Sequence, residues 1–200
     1  EEALSKSESQ YRLVVNTVKE VIFQTDIDGN WIFLNPAWTN IMGYTIEESL
    51  GQNFSSYIHN EEKEKNFDVL RPLITGELEF SLHDVIFVTK GGKEKICEVY
   101  VKSIVSENKN VVGISGTIRD ITLQRESEQE IRKLNRAVET TETGILLADF
   151  KGNISYANPG LMSICGFKSH DHIVGKSIFS LTSIEGSRVL KEAIITRLMS

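Results

Sequence analysis

Only two cysteines occur in the 200 residues, Cys97 and Cys165, and neither a CxxC pair nor a metal-ligand spacing accompanies them. Each sits among apolar neighbours, so both read as buried free thiols in a reducing compartment. Positive charge is not in excess: 22 Lys and Arg face 28 Asp and Glu, a net charge of −6. A non-specific nucleic-acid binder needs a basic face, so nucleic acid is not an expected partner. No apolar run nears the ~18 residues that cross a bilayer, and no signal peptide opens the chain. A cytoplasmic location and no membrane contact are expected of this stretch. A Walker loop, a nucleophile elbow, paired catalytic carboxylates and kinase nucleotide-binding glycines are all missing. Lys90-Gly91-Gly92-Lys93 is a hairpin turn and not a phosphate loop, because no helix follows it. The stretch is therefore not expected to be an enzyme. It opens on Glu1-Glu2-Ala3 and stops at Arg197-Leu198-Met199-Ser200, which reads as a piece of a longer protein.

What is there suits packed cores: 40% hydrophobic residues, 25% charged and only three prolines. The chain also repeats itself. Asp26-Ile27-Asp28-Gly29-Asn30, followed by Asn35-Pro36, returns as Asp149-Phe150-Lys151-Gly152-Asn153 and Asn158-Pro159. Gly152 stands 123 positions after Gly29, and the same interval relates Tyr11 to Leu134, Val15 to Val138 and Gly43 to Gly166. One extra residue within 168–171 then sets Gly51 against Gly175. A repeat this long indicates two copies of one fold.

In order, residues 1–18 carry a helical stripe of Leu4, Tyr11, Val15 and Val18, either a short coiled-coil seam or a helix lying on the first domain. Val21–Asp26 and Trp31–Leu34 form a hairpin around Asp28-Gly29. Asn35 is expected to cap a helix that starts at Pro36 and stops at Gly43. Thr45 and Glu48 make a capping box for a second helix ending at Gly51. Asn60-Glu61-Glu62 opens a third, whose apolar face is Phe67, Leu70 and Leu73, closed by Pro72 and Gly76. From Phe80 the period becomes two, and three antiparallel strands follow. Residues 122–142 form a charged helix with a partial heptad seam at Ile131, Leu134 and Val138. The second copy ends in an expected helix at 187–199 and lacks the last three strands.

The order hairpin, Asn-Pro helix, Gly-Tyr, Gly and three strands, closed by Asp120-Ile121-Thr122, resembles the PAS domain family. The resemblance implies an α+β fold, a five-stranded antiparallel sheet with short helices on one face, joined by a helical linker to a second, truncated copy. The domains are then an N-terminal helix (1–18), a first PAS-like domain (19–121), a linker or signalling helix (122–142) and an incomplete second domain (143–200). It further implies the sensory and signal-relay region of a signal-transduction protein, foremost a two-component sensor histidine kinase. Ligand or cofactor state would pass along helix 122–142 in a homodimer. The alternative is a ligand-free dimerisation spacer.

A pocket of this family lies between the inner sheet face and the short helices. Trp38, Met42, Phe54, Phe67, Phe87, Cys97 and Val99 either line it, around a small-molecule ligand, or fill a solid core. Asp120 would tie the last strand to the exit helix and Thr122 would cap that helix, so both carry signal transmission. Haem-binding members place a His on the apolar face of the third helix, and neither His59 nor His83 is there. Covalent flavin photochemistry needs a reactive Cys in a short helix, and none follows Gly51 or Gly175. Haem and non-covalent flavin stay open without support, so the cofactor is unknown. His170, Asp171 and His172 are adjacent loop residues that do not all face one ion, and no metal site is expected.

Overall fold

The computed structural model describes residue 10, residues 12–167 and residues 173–178. It divides into two compact units, Glu1–Glu126 and Ser127–Ser200. The expected helix at 187–199 and the cluster His170, Asp171 and His172 lie outside the described residues.

The first unit begins with helical residues 12–17 (α1), where Leu13 and Val14 are exposed and Val15 is half-buried. Strands β1 (Val21–Asp26) and β2 (Trp31–Leu34) follow. In β1 every second residue, Val21, Phe23 and Thr25, is buried, as a strand with one face on a core requires. The turn between them is held by Asp26, whose carboxylate accepts from Asn30 N at 2.7 Å and from Asn30 Nδ2 at 2.9 Å. Those bonds hold its carboxyl below the usual range against a small burial cost. Gly29 has φ +84°, and a Cβ there would also run into the Phe54 ring. Gly29→Ala is therefore expected to destabilise the unit by about 1–3 kcal/mol, read as a lowered denaturation midpoint.

Helix α2 (Ala37–Met42) stops at Gly43, and α3 (Ile46–Ser49) opens on the Thr45–Glu48 capping box. A 3-10 turn at Phe54–Tyr57 and another at Asn60–Glu62 lead into α4 (Lys63–Ile74). Pro72 lies inside α4, and the helix runs two residues beyond it. Strands β3 (Phe80–Val88), β4 (Glu94–Val105) and β5 (Val111–Asp120) complete a sheet of order β2-β1-β5-β4-β3. All its pairings are antiparallel. Register lines up inward residues across the sheet: His83, Val99, Ile118 and Val21 form one row. The helices cover this face, and Trp38, Met42, Leu73 and Cys97 are buried completely beneath them.

Helix α5 (Thr122–Thr140) starts in the first unit and ends in the second. Thr122 is its one buried residue, while Leu123, Ile131 and Leu134 are exposed. The second unit contains hairpin β6 (Leu146–Ala148) and β7 (Ile154–Ala157) and helix α6 (Pro159–Cys165). Its core gathers Ile154, Ala157, Leu161, Met162 and Ile173. The hydrogen bonds repeat at the sequence interval. Asn153 N and Nδ2 donate to Asp149 at 2.8 and 2.9 Å, as Asn30 does to Asp26. Gly175 N donates to Ile154 O at 2.8 Å, as Gly51 N does to Trp31 O at 2.9 Å.

Among the described residues no helix is long and apolar enough to cross a membrane.

Candidate functional site

Between the inner sheet face and α4 lies a void of about 20 Å³. That is room for about one water. Phe54, Phe87 and Val99 line it, together with Trp31, Asn66, Leu70, His83, Ile114 and Ile118. Trp38, Met42 and Cys97 lie outside this lining and fill the solid core instead. Trp38 is fixed there by Nε1 donating to Ser49 Oγ at 2.8 Å and by edge contact with Tyr57 at 5.1 Å between centroids. Burial pushes the Cys97 thiol up to about 12, so it is inert near neutral pH.

Phe67 is a correction. It is 45% exposed and borders a second void, of about 40 Å³, behind Phe54. The buried face of α4 is Asn66, Leu70 and Leu73, which follows the four-then-three spacing of a helix stripe. Hydrophobicity alone does not mark Asn66, because an amide inside a core needs a partner that the helix itself does not supply. The partner is His83 on β3, whose Nε2 lies 3.0 Å from Asn66 Oδ1, while Nδ1 lies 3.2 Å from Ser81 Oγ.

Burial holds the His83 imidazole below its ordinary value; nearby Lys65 adds to this and Asp84 opposes it. The folded state thus prefers neutral His83. Stability from this group is complete above about pH 6.5 and is lost as the pH falls through the lower folded value. The expected result is a melting temperature that drops between pH 7 and pH 5 more steeply in the parent chain than in His83→Gln, which keeps a hydrogen-bonding group without the titration. Equal slopes would remove His83 from the acid response. His59 sits elsewhere, at the sheet edge, with Nε2 3.5 Å from Glu94 Oε1.

Neither haem nor flavin fits the void as it stands. Sites for molecules of that size run to about 300–1,000 Å³, and the imidazole nearest the void is engaged by Asn66.

The second part of the site is the root of α5. Ile114 and Ile118, on β5, line the void, and β5 runs directly into Asp120. The Asp120 carboxylate accepts from Thr122 N at 3.0 Å and from Thr122 Oγ1 at 2.5 Å, and pairs with Lys95 Nζ at 2.5 Å. The Thr122 hydroxyl in turn accepts from Ile96 N at 3.0 Å, on β4. Burial alone would raise the Asp120 carboxyl, but Lys95 and the two Thr122 bonds outweigh it and the group sits below the usual range. One turn on, Arg125 Nη2 reaches Asp84 Oδ2 on β3 at 2.6 Å. The start of α5 is thus pinned to β3 and β4 as well as to β5, from which it departs.

Asn35 also departs from expectation. Its side chain makes no cap for α2. It is fully buried, accepts from Ile22 N at 3.0 Å, and donates to Val15 O at 2.9 Å and Glu20 O at 3.0 Å. Asn158 makes the same three contacts, from Ile145 N at 2.7 Å and to Val138 O at 3.0 Å and Thr143 O at 2.8 Å. It additionally caps α6 by accepting from Leu161 N at 2.9 Å. Val15 and Val138 lie at the C-terminal ends of α1 and α5, where carbonyls lack partners within the helix. Each Asn therefore fastens the arriving helix to the hairpin of its own unit.

Comparison with known proteins agrees with this geometry. The family model described as PAS fold matches residues 9–121 and 132–200. Sporulation kinase C of Bacillus subtilis (strain 168) is 29% identical over 164 residues, 80% of this chain and 37% of that protein. Methanogenesis regulatory histidine kinase FilI of Methanothrix harundinacea (strain 6Ac) is 28% identical over 139 residues, 66% of this chain and 15% of that protein. The chain thus spans well under half the length of either curated relative. The crystal structure of the PAS domain of a Colwellia psychrerythraea protein is similar with TM-score 0.53 and 24% identity, covering 57% of this chain and 96% of that one. An RNA-binding light-oxygen-voltage receptor gives TM-score 0.57 at 17% identity, covering 64% of this chain and 37% of that one. These likenesses concern the fold. The family match over both segments, the sheet of order β2-β1-β5-β4-β3 and the Asp120-Ile121-Thr122 exit together show that the chain belongs to the PAS fold family.

Proposed function

We propose that the chain is the sensory and signal-relay region of a signal-transduction protein of the two-component sensor histidine kinase type. The two kinases it resembles by sequence support that reading. The observation that carries it is β5: the strand that lines the void with Ile114 and Ile118 ends at Asp120, which holds the start of α5. A small molecule that spreads the void moves β4 and β5 apart. The Lys95–Asp120–Thr122 node then shifts, and the equilibrium between two settings of α5 shifts with it.

The second segment acts as a truncated PAS-like copy, and Asn158 receives the far end of α5. Two such chains pair as a homodimer through Ile131, Leu134 and Val138, whose apolar seam is exposed or half-exposed along α5. The region performs no chemistry itself, and in the full-length protein it lies in the cytoplasm. Leu134→Asp is expected to shift the chain from dimer to monomer by roughly ten-fold or more in dissociation constant, measured by analytical ultracentrifugation. An unchanged mass would remove α5 as the pairing element.

A second reading, the ligand-free dimerisation spacer, is favoured by one observation: the void holds about one water. A thermal-shift screen of small neutral molecules decides between them. The sensor reading expects at least one that raises the melting temperature by several degrees through mass action. No shift with any of them, in a chain that still pairs, leaves the spacer.

A further inference from the structure

Among the described residues one buried side-chain donor has no acceptor, Nε1 of Trp31. Trp31 is only 3% exposed, and native proteins satisfy nearly every such group. The other tryptophan shows the ordinary outcome, since Trp38 gives its Nε1 hydrogen to Ser49 Oγ at 2.8 Å. Rings crowd the Trp31 indole, with centroids of Phe23 at 5.2 Å, Trp38 at 5.4 Å and Phe54 at 6.2 Å. The same indole lines the void beneath α4.

The rest of the lining states what kind of molecule suits it. It contains no Asp, Glu, Lys or Arg. Its one titratable group is His83, which burial keeps toward the neutral form. An ion would enter without a counter-charge, which a buried site does not tolerate. The walls are otherwise aromatic and aliphatic, with Asn66 and His83 as a polar edge.

We propose that this void is the seat of a small uncharged ligand with an apolar body and one acceptor oxygen, such as a ketone or an ether, which takes its hydrogen bond from Trp31 Nε1. The inference rests on the sensor reading of the cavity and adds the class of ligand. Room for more than a water comes from Phe54. Its ring, with Leu70 and Ile114, borders both this void and the one of about 40 Å³ beyond it. Asp26 and Asp28 line that outer void, the Asp26 carboxylate already engaged by Asn30, so the acceptor oxygen belongs at the inner, charge-free end beside Trp31. Phe54 belongs to a four-residue 3-10 turn rather than to a long helix, and rotation of its ring joins the two spaces.

The test uses the intact 200-residue chain, labelled with 15N, and a matched pair of probes. Cyclohexanone carries the acceptor, and methylenecyclohexane has nearly the same shape without it. The chain has two tryptophans and hence two indole N–H resonances, with Trp38 as an internal reference. Trp31→Phe assigns them. If that variant does not fold, Ser49→Ala does so by moving the Trp38 signal alone.

The expected result is a saturable shift of the Trp31 signal with cyclohexanone and binding about ten-fold tighter than methylenecyclohexane, as a satisfied buried donor implies. In Trp31→Phe the difference between probes disappears. Equal affinity for the two probes overturns the acceptor rule and leaves the sensor reading standing. Binding of neither probe, even to the enlarged cavity of Phe54→Ala, overturns this inference and the ligand-sensing reading together.

Discussion

Asn35→Ala is expected to lower the stability of the first unit by about 3 kcal/mol. The amide is completely buried and bridges three backbone groups that otherwise have no common partner: Ile22 N, Val15 O and Glu20 O. Alanine leaves those groups facing apolar surroundings. Each buried group stranded this way costs about 1–3 kcal/mol, reduced where water enters beside α1. Both tryptophans are in this unit, so indole fluorescence in a urea titration reads the loss directly. Asn35→Asp is no rescue, because a carboxylate cannot donate to the two carbonyls and brings a charge into the core. Asn158→Ala should do the same to the second unit and, by also removing the α6 cap, somewhat more. A loss below about 1 kcal/mol in Asn35→Ala would mean that water replaces the amide and that the helix is not fastened there.

Asp120→Ala has the second large effect, and its main readout is function. It removes the acceptor of Thr122 N and Oγ1 and strands Lys95, whose side chain is mostly buried. The pair is about a quarter exposed, so the stability cost is discounted from that of a fully buried ion pair to about 1–2 kcal/mol. If the full-length protein is a sensor histidine kinase, as proposed, the expected outcome is autophosphorylation that no longer responds to the stimulus, with basal activity retained. Regulation that survives intact would show that the node is only a fold element. Asp120→Asn separates the contributions, since it keeps an acceptor for Thr122 and loses the charge that holds Lys95. The pH dependence adds a check. The Asp120 carboxyl is depressed in the folded chain, so its stabilisation is present above the ordinary value of 3.8 and fades as the pH falls through the lower folded value. Parent and Asp120→Ala therefore converge in stability under strong acid and differ at neutral pH.

The two predictions concern the opposite ends of helices. An arriving helix is gripped at its last carbonyls by Asn35 or Asn158, and the departing helix is gripped at its first amide by Asp120. Asn35 bonds to Ile22 on β1 and Asp120 ends β5, so in the first unit both grips act on strands of the same sheet.

Much of this was legible in the residues. Gly29 between apolar runs dictates the hairpin because only glycine adopts its φ without strain. Thr45 and Glu48 build their capping box within four residues. Cys97, Val99 and Val101 alternate with Tyr100 and Lys102 as a half-buried strand must. The 123-residue interval shows in Asp149, Gly152 and Asn158. Each of these is local chemistry, settled by a residue and its nearest neighbours in the chain.

What the tertiary structure decided is long-range. Asn66 replaces Phe67 on the inner face of α4 only because sheet register brings His83, 17 residues away, to its amide. Asn35 stands before Pro36 where a helix cap would stand, yet its partners Glu20 and Val15 are 15 and 20 residues back. Lys95 meets Asp120 across 25 residues. The unpaired indole of Trp31 and the size of the void beside it depend on how rings from β1, α2 and the 3-10 turn close around them. Propensity, capping and turn chemistry act over about four residues and can be read in order. Partners for buried polar groups are chosen by packing across the sheet, and packing depends on every strand at once.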